Sequence, residues 1–242
     1  MDAFRGKMTY GDKTVWAAEY QSSGRGQKGN VWKSQRSENL TFSILLKPSF
    51  LLASDQFLIS EIASVAVVDY LKTHGISARI KWPNDIYVSD RKLSGMLLEH
   101  TVSGDKVSAS IVGIGINVHQ CRFDSDIPNP VSMKQCLEEM GRYDCPLDLK
   151  SELDSFLSIF FKLYGSLDSA PFRQDIHNLY IENLYRKNEW HSYLVKTPDG
   201  LAVLERIEAC IAGVDRKTSR LQVITRDGRE RSFAFKEVSY II

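Results

Sequence analysis

Cysteine is scarce in this sequence, and long apolar runs are absent. The four cysteines among the 242 residues form no C-x-x-C pair and have no histidine near them at zinc-ligand spacing. This pattern argues against a structural zinc site and predicts scattered reduced thiols. No window approaches the uninterrupted apolar length that spans a bilayer, and the opening MDAFRGKMTYGDK lacks the apolar core of a secretory signal. We therefore expect a cytoplasmic protein with no membrane partner.

An excess of charge of one sign is also lacking. The 31 lysines and arginines balance 30 aspartates and glutamates, which gives a formal net charge of +1. This excludes a field that would draw the whole molecule to nucleic acid. The hydrophobic fraction of 43% and the charged fraction of 25% are typical of a globular protein. At this length we expect one large domain, or one domain with a small companion.

The first half of the chain alternates between strand and helix patterns. From Ser54, apolar residues recur at helical spacing as far as Gly75, which is a suitable stop. The spacing of apolar residues and turn residues predicts strands at 14–20, 40–48, 78–82, 86–89, 93–102 and 107–118. Because the last four strands have very short links, neighbouring strands must be antiparallel.

The second half changes character after the segment NEWHSY. Residues 133–186 are rich in helical patterns, whereas residues 202–242 hold three or four short strands separated by turn sequences. A tail of this kind is typical of a small β-barrel or sandwich attached to a larger α+β domain. We place the boundary near residue 192, so that the predicted domains are 1–192 and 193–242.

A glycine-rich loop, GRGQKGNVW, follows the first predicted strand. Gly24, Gly26 and Gly29 allow positive φ and a close approach of the backbone to a ligand, while Arg25 and Lys28 add charge for a phosphate or carboxylate. The loop is neither a Walker A loop nor a dinucleotide fingerprint, because no Gly-Lys-Ser/Thr and no helix follow it. The pattern leaves ligand binding and a mobile surface turn as alternatives.

A second cluster is the segment KWPND at 81–85, followed by RKLSG. Pro83 holds the preceding tryptophan extended, and Asp85 can bond the backbone of the turn. This is typical of a rigid hairpin corner with a core tryptophan. However, Lys81 and Lys92 close to this carboxylate could also form a charged site.

A third pattern is GIGINV at 113–118. Glycine at every second residue leaves one face of the strand bare at Gly113 and Gly115, and Asn117 falls on the same face. Glycine weakens a strand unless a ligand or another chain segment lies close to it. The bare face therefore indicates either a ligand or a closely packed helix.

Together, in this order, the three motifs resemble the biotin protein ligase family. The final FKEVSYII is similar to that family's small C-terminal SH3-like domain, so the resemblance covers nearly the whole chain. It implies an α+β fold: a core like that of the class II aminoacyl-tRNA synthetases, with a mixed β-sheet backed by helices, and an SH3-like β-barrel. No N-terminal DNA-binding domain is apparent, so we expect ligase activity only and no DNA partner.

The resemblance also implies the chemistry. Biotin and ATP, with Mg²⁺, would give biotinyl-5′-AMP, which then acylates one lysine of a biotin carboxyl carrier domain. Related enzymes often form homodimers. Two alternatives stay open: a lipoate or octanoate ligase of the same superfamily, and a non-catalytic biotin-binding regulator.

Motif matching assigns roles to individual residues. Lys92 and Arg25 match the catalytic positions where two anions must meet. The positions that match the family's biotin and adenylate site are Gln21, Gly24, Arg25, Gly26, Gln27, Trp32, Lys92 and Gly95. The positions toward ATP and its metal ion are Lys81, Asp85 and Asn117. An acyl adenylate hydrolyses in water, so the glycine loop is expected to close over it as a lid.

The sequence departs from the family pattern in two places. Family members often carry arginine where this chain has Gln27, and they usually have a Ser-Thr-Asn segment upstream of the loop, which is missing here. The second departure leads us to expect a shortened start at Met1 and impaired biotin affinity.

Gln27→Arg should slow the escape of the adenylate, because glutamine keeps hydrogen bonding but lacks the positive charge that attracts the phosphate. Stopped-flow measurement of adenylate release from the unmodified chain and the variant checks this. Equal release rates would contradict it.

Overall fold

Two antiparallel sheets and four α-helices make up the described part of the chain, which in this computed structural model is residues 10–26, 31–196 and 204–242. The helices are α1 (Phe57–Thr73), α2 (Met133–Glu139), α3 (Leu149–Gly165) and α4 (Ala170–Glu182). The first sheet contains β1 (Thr14–Ala17), β2 (Asn39–Leu46), β3 (Arg79–Lys81), β4 (Asp85–Val88), β5 (Arg91–Ser103) and β6 (Lys106–Asn117). The second contains β7 (Trp190–Lys196), β8 (Leu204–Val214), β9 (Leu221–Thr225), β10 (Glu230–Phe233) and β11 (Val238–Tyr240).

The first sheet has the strand order β1-β2-β6-β5-β4-β3. The predicted α+β class is confirmed, and each predicted strand of the first half has a counterpart in this sheet. The expectation of a mixed sheet is wrong for the named strands, because every pairing between them is antiparallel. Short hairpin links impose this arrangement from β3 to β6, since a parallel partner needs a long crossover, whereas β1–β2 and β2–β6 pair antiparallel across longer connections. Parallel partners in the described residues are isolated bridges, such as that between Ile80 and Leu184.

Helix α1 is apolar on nearly every side, which is typical of a helix in the middle of a fold. From Leu58 to Leu71 all of its residues are buried except Asp69. The helix packs on the first sheet and also contacts α3 and α4. The predicted stop, Gly75, follows it with φ +75°, a conformation that glycine adopts at little cost. Within the described residues, none of the helices combines the length and apolarity needed to cross a membrane.

The two faces of the first sheet differ in side-chain size. Phe42 on β2 points toward the helices, where its ring centroid lies 5.3 Å from that of Phe156 on α3. Residues next to it in sequence point to the opposite face, because side chains alternate along a strand. On that face, cross-strand pairing across β2, β6 and β5 forms two rows of mostly small residues: Thr41–Gly115–Gly95 and Ser43–Gly113–Leu97. The opposite face therefore offers a shallow floor.

The second sheet has the order β10-β9-β8-β7-β11 and packs against one end of the first. The indole Nε1 of Trp82 donates to the carbonyl of Ser219 at 3.2 Å, and Arg186 donates to the carbonyl of Ile241 at 2.9 Å. The predicted strand-rich tail is thus observed, beginning at Trp190. Residue 192 lies inside β7, and the division into domains 1–192 and 193–242 stays a prediction.

A buried polar network joins α1 to α3. The hydroxyl of Tyr70 donates to Glu152 Oε2 at 2.6 Å, and His74 Nε2 lies 2.9 Å from the same carboxylate oxygen. Tyr70 is fully buried and Glu152 is 9% exposed, so this carboxylate depends on protein partners rather than water.

Tyr70→Phe should lower the free energy of unfolding by about 1–3 kcal/mol, because it removes one hydrogen bond from a buried carboxylate. Urea denaturation of the variant and the unmodified chain checks this. Tyr20→Phe is the matched control, since the Tyr20 side chain is exposed, and it should leave stability unchanged. Equal stability of Tyr70→Phe and the unmodified chain would show that the bond contributes little.

Candidate functional site

A cleft of about 520 Å³ lies over the small-residue face of the first sheet. The floor is formed by the two rows of small residues on β2, β6 and β5. The glycine loop borders it at Gln21, Arg25 and Gly26, and the hairpin corner borders it from Lys81 to Asp85. Strand β11 of the second sheet and the turn before it add a wall through Phe235, Lys236, Val238, Ser239 and Tyr240. Three distant parts of the chain therefore meet at one cavity.

The glycine loop is closed at its base. Trp32 N donates to the carbonyl of Gly24 at 3.1 Å, and Arg25 and Val31 form an antiparallel bridge. A Cβ on Gly24 would lie 2.2 Å from the carbonyl oxygen of Trp32, so only glycine fits this close approach. Gln27 lies outside the described residues, and its expected role stays a prediction.

The indole of Trp32 occupies the bare face of β6. A Cβ on Gly115 would meet the ring at 2.3 Å, which is closer than packed atoms can approach. Gly115 of GIGINV thus makes room for this side chain, where we expected a ligand or a packed helix. The Nε1 atom of Trp32 is buried without a hydrogen-bond partner among the described residues. A ligand acceptor in the cleft could satisfy this donor.

Arg25 lies beside a carboxylate that the motifs did not single out. Its guanidinium is 3.6 Å from Glu99 Oε2, and the Arg25 side chain is 63% exposed whereas that of Glu99 is 24% exposed. Glu99 follows Gly95 and Leu97 at alternating positions of β5, so the two-residue period could have placed it on the cleft face. The exposed guanidinium keeps its freedom to contact a bound anion.

Lys92 and Asp85 form an ion pair within the cleft. Lys92 Nζ lies 2.7 Å from Asp85 Oδ1, and both side chains are about one third exposed. A Cβ on Gly95 would lie 3.1 Å from this amine. Because glycine has no side chain, the side chain of Lys92 can lie across β5 at this position. The backbone of Lys92 is also fixed, since its N–H donates to the carbonyl of Asn129 at 2.6 Å and its carbonyl accepts from Val131 N.

Lys81 is a second, partly buried lysine that lines the cleft. Its Nζ donates to the hydroxyl of Tyr87 at 3.0 Å and lies 5.1 Å from the ring centroid of Tyr240. Burial lowers the pKa of Lys81 to about 8, although the charge of Asp85 acts in the opposite direction. The nearby charge of Lys92 lowers the pKa further. The amine is therefore poised to gain or lose its proton near neutral pH.

The remaining predicted residue, Asn117, is not among those that line the cleft. It is 5% exposed, and its Nδ2 donates to the carbonyl of Val131 at 3.0 Å, which holds the segment that pairs with Lys92. Asn117 thus supports the segment beside Lys92 and does not line the cleft. Among the described residues, no group of three histidine, cysteine, aspartate or glutamate side chains is arranged to hold a metal ion.

The hairpin corner fits both interpretations of KWPND. Trp82 is buried, and Asn84 Nδ2 donates to the carbonyl of Met96 at 3.1 Å, as expected for a structural turn. At the same time the flanking lysine and aspartate face the cleft. The rigid corner is what holds these charges in place.

Similar sequences exist among known ligases. Residues 3–117 match the model of the biotin/lipoate A/B protein ligase family. The biotin–[acetyl-CoA-carboxylase] ligase of Paracoccus denitrificans is 30% identical over 220 residues, which cover 87% of this chain and 88% of that protein. The bifunctional ligase/repressor BirA of Bacillus subtilis is 40% identical over 108 residues, 44% of this chain and 33% of that protein. The chain spans less than half of the length of the BirA proteins that it matches.

The fold has a solved counterpart in the biotin protein ligase from Aquifex aeolicus in complex with biotin and ATP. The TM-score is 0.73 at 24% identity, and the match covers 96% of this chain and 90% of that one. At this identity the likeness shows a common fold. The family is shown by the Paracoccus relative, which is matched over most of its length. From its sequence and its fold together, the chain belongs to the biotin protein ligase family.

Proposed function

We propose that this protein ligates biotin to a lysine of a biotin carboxyl carrier domain, using ATP. The observation that carries the proposal is the cluster of Lys92, Asp85 and Lys81 at one side of a cleft that Arg25 also borders. Relatives with this family's name act on biotin, and a solved relative binds biotin and ATP.

The first half-reaction joins two anions. The carboxylate of biotin attacks the α-phosphorus of ATP, the bond to the β-phosphate oxygen breaks, and pyrophosphate leaves with the electron pair. The product is biotinyl-5′-AMP. Repulsion between carboxylate and phosphate opposes the approach, so fixed positive charge at their meeting point stabilises the transition state. We assign this role to Lys92, with Arg25 contributing from the loop.

Lys92 is suited to this role by its surroundings. Its ion pair with Asp85 orients the amine over Gly95, and its backbone is bonded on both sides. A preoriented charge stabilises a developing negative charge without having to reorganise during the reaction. Because the pair is only partly buried, an incoming phosphate can also contact the amine.

Other lining residues of the cleft suit a compact, largely apolar ligand with a polar end. Trp32 and the glycine floor supply apolar surface, and Gln21 borders the same space with a side-chain amide. Such a mixture fits a ring system that carries a ureido group better than a plain alkyl chain, which needs no placed polar partner. We therefore favour biotin over lipoate or octanoate.

The second half-reaction transfers the acyl group. The neutral amine of the carrier lysine attacks the acyl carbonyl, a C–N bond forms, the C–O bond to AMP breaks, and AMP leaves with the electron pair while the new amide gives up one proton to solvent. Mg²⁺ would arrive with the nucleotide, since this ion is held mainly by phosphates, waters and one or two carboxylates. Asp85 and Glu99 are the carboxylates that line the cleft among the described residues.

A non-catalytic biotin-binding regulator fits the site less well. Biotin's ring system is neutral, and its single carboxylate needs one positive partner. The cleft instead brings Lys81, Lys92 and Arg25 to one cavity, which suits a nucleotide with several phosphates. The absence of DNA binding and the formation of a homodimer stay predictions.

Biotin-dependent ATP–pyrophosphate exchange tests the proposed reaction. The chain should catalyse exchange with biotin and not with lipoate, and Lys92→Gln should slow it roughly 10²- to 10³-fold, because the charge at the meeting point of the anions is lost. Lys106→Gln is the matched control, since this exposed lysine lies at the start of β6 and should leave the rate unchanged.

Two results would contradict the proposal. Exchange that depends on lipoate and not on biotin would assign the chain to the other ligase activity. A Lys92→Gln variant that exchanges as fast as the unmodified chain would remove the catalytic role from this lysine.

The affinity for ATP should fall as the pH rises through about 8. Below the lowered pKa of Lys81, which burial brings to about 8, its ammonium is charged and attracts phosphate, and above it the amine is neutral. Lys81→Arg should flatten the pH dependence, because arginine stays charged. Calorimetric titration with Mg-ATP from about pH 7 to about pH 9.5 checks this. Parallel curves for the two proteins would exclude Lys81 as the titrating group.

A further inference from the structure

Tyr240 of the second sheet contacts a charged group of the cleft. Its ring centroid is 5.1 Å from Lys81 Nζ, although the two residues belong to different sheets. An ammonium at this distance from an aromatic ring is attracted by the negative face of the ring. Lys81 belongs to KWPND and Tyr240 to FKEVSYII, and the contact between these two segments is visible only in the structure.

The amine of Lys81 is held from two sides. Within its own hairpin, Tyr87 accepts a hydrogen bond at 3.0 Å, and its ring centroid is 4.7 Å from the same nitrogen. The ring of Tyr240 supplies the other side. An ammonium has three donors, so after the bond to Tyr87 two N–H groups are available for a ligand in the cleft. The long, flexible lysine side chain would otherwise sample many rotamers.

The ring of Tyr240 is itself fixed from behind. On the neighbouring strand β7, Tyr193 pairs with it and packs edge-on at a centroid distance of 5.2 Å. Tyr185 stacks on it at 6.0 Å. The hydroxyl of Tyr240 is buried and has no hydrogen-bond partner among the described residues. The aromatic face, rather than the hydroxyl, is therefore the feature that meets Lys81.

The surrounding wall suits phosphate groups. Ser239 of β11 and Lys236 of the turn before it line the cleft together with Tyr240. In the β3–β4 hairpin, Lys81 pairs with Asp85, which is the partner of Lys92. A nucleotide whose α-phosphate meets Lys92 has further phosphates to accommodate, and these need positive charge and hydrogen-bond donors.

We propose that Tyr240 is a positioning residue, which holds the ammonium of Lys81 toward the phosphates of ATP so that the second sheet completes the nucleotide site. The proposal rests on the proposed ligase function. It predicts that nucleotide affinity depends on an aromatic ring at position 240, and that this dependence acts through Lys81.

Calorimetric titration of the full chain with Mg-ATP, and separately with biotin, tests the proposal. Tyr240→Leu should weaken ATP binding roughly 5- to 30-fold, which is the strength of a partly desolvated cation–π contact, and should change biotin binding by less than about twofold. Tyr240→Phe should bind ATP as the unmodified chain does, because it keeps the ring. Ile241→Ala is the matched control on the same segment, since this side chain is exposed.

A double-mutant cycle separates positioning from a structural effect. In a Lys81→Ala background, Tyr240→Leu should cause no further loss of ATP affinity. A further loss as large as in the unmodified background would overturn the proposal, and so would an equal weakening of ATP and biotin binding. Unchanged ATP affinity in Tyr240→Leu would overturn it as well.

ATP–pyrophosphate exchange by the unmodified chain distinguishes a failure of the ligase function from a failure of the proposed role of Tyr240. If that chain catalyses biotin-dependent exchange and Tyr240→Leu binds ATP normally, the role of Tyr240 is wrong and the ligase function stands. If it binds ATP with the expected dependence on Tyr240 but catalyses no exchange with biotin, the ligase function is wrong and the positioning role stands.

Discussion

The backbone register between β5 and β6 decides which residues face the cleft. It sets Gly95 opposite Gly115 and Leu97 opposite Gly113, and β2 extends both rows with Thr41 and Ser43. A shift of one residue would turn the large apolar side chains of these strands into the cleft and the glycines toward the helices. The packing of Trp32 on Gly115 and the position of the Lys92 side chain over Gly95 both depend on this alignment.

The charges of the site depend on a second constraint, the rigid corner between β3 and β4. Lys81 and Asp85 are register partners at its base, and the buried Trp82 at its tip bonds to the second sheet. One short segment thus fixes the position of the cleft lysine and the position of the sheet that contacts it. A change in the packing of this corner would therefore also move the charges of the site.

Much of the fold could be predicted because its signals are local. The apolar period of α1, the alternation in β2 and the turn residues between β3 and β6 each lie within a few adjacent residues. The mixed sheet is wrong and came from the resemblance, whereas the short links already required antiparallel pairing from β3 to β6.

A contact within the site was predictable only where the sequence motifs contain both of its residues. Lys92 with Asp85 could be proposed from KWPND and KLSG together. By contrast, the contact of Tyr240 with Lys81 joins residues that are far apart in the chain, and no spacing rule connects them. The packing of Trp32 on Gly115 could not be predicted either. The sequence indicated a bare strand face, but not which side chain covers it.

The shared wall between the two sheets ties ligand binding to conformational stability. A ligand that touches both the floor on the first sheet and the wall on the second binds only while the two remain packed. By thermodynamic linkage, each increment of its binding free energy then opposes local opening of β11 from Lys81. Ligand binding in the cleft should thus slow the hydrogen exchange of amides on the second sheet, which lies far along the chain from the glycine loop and KWPND.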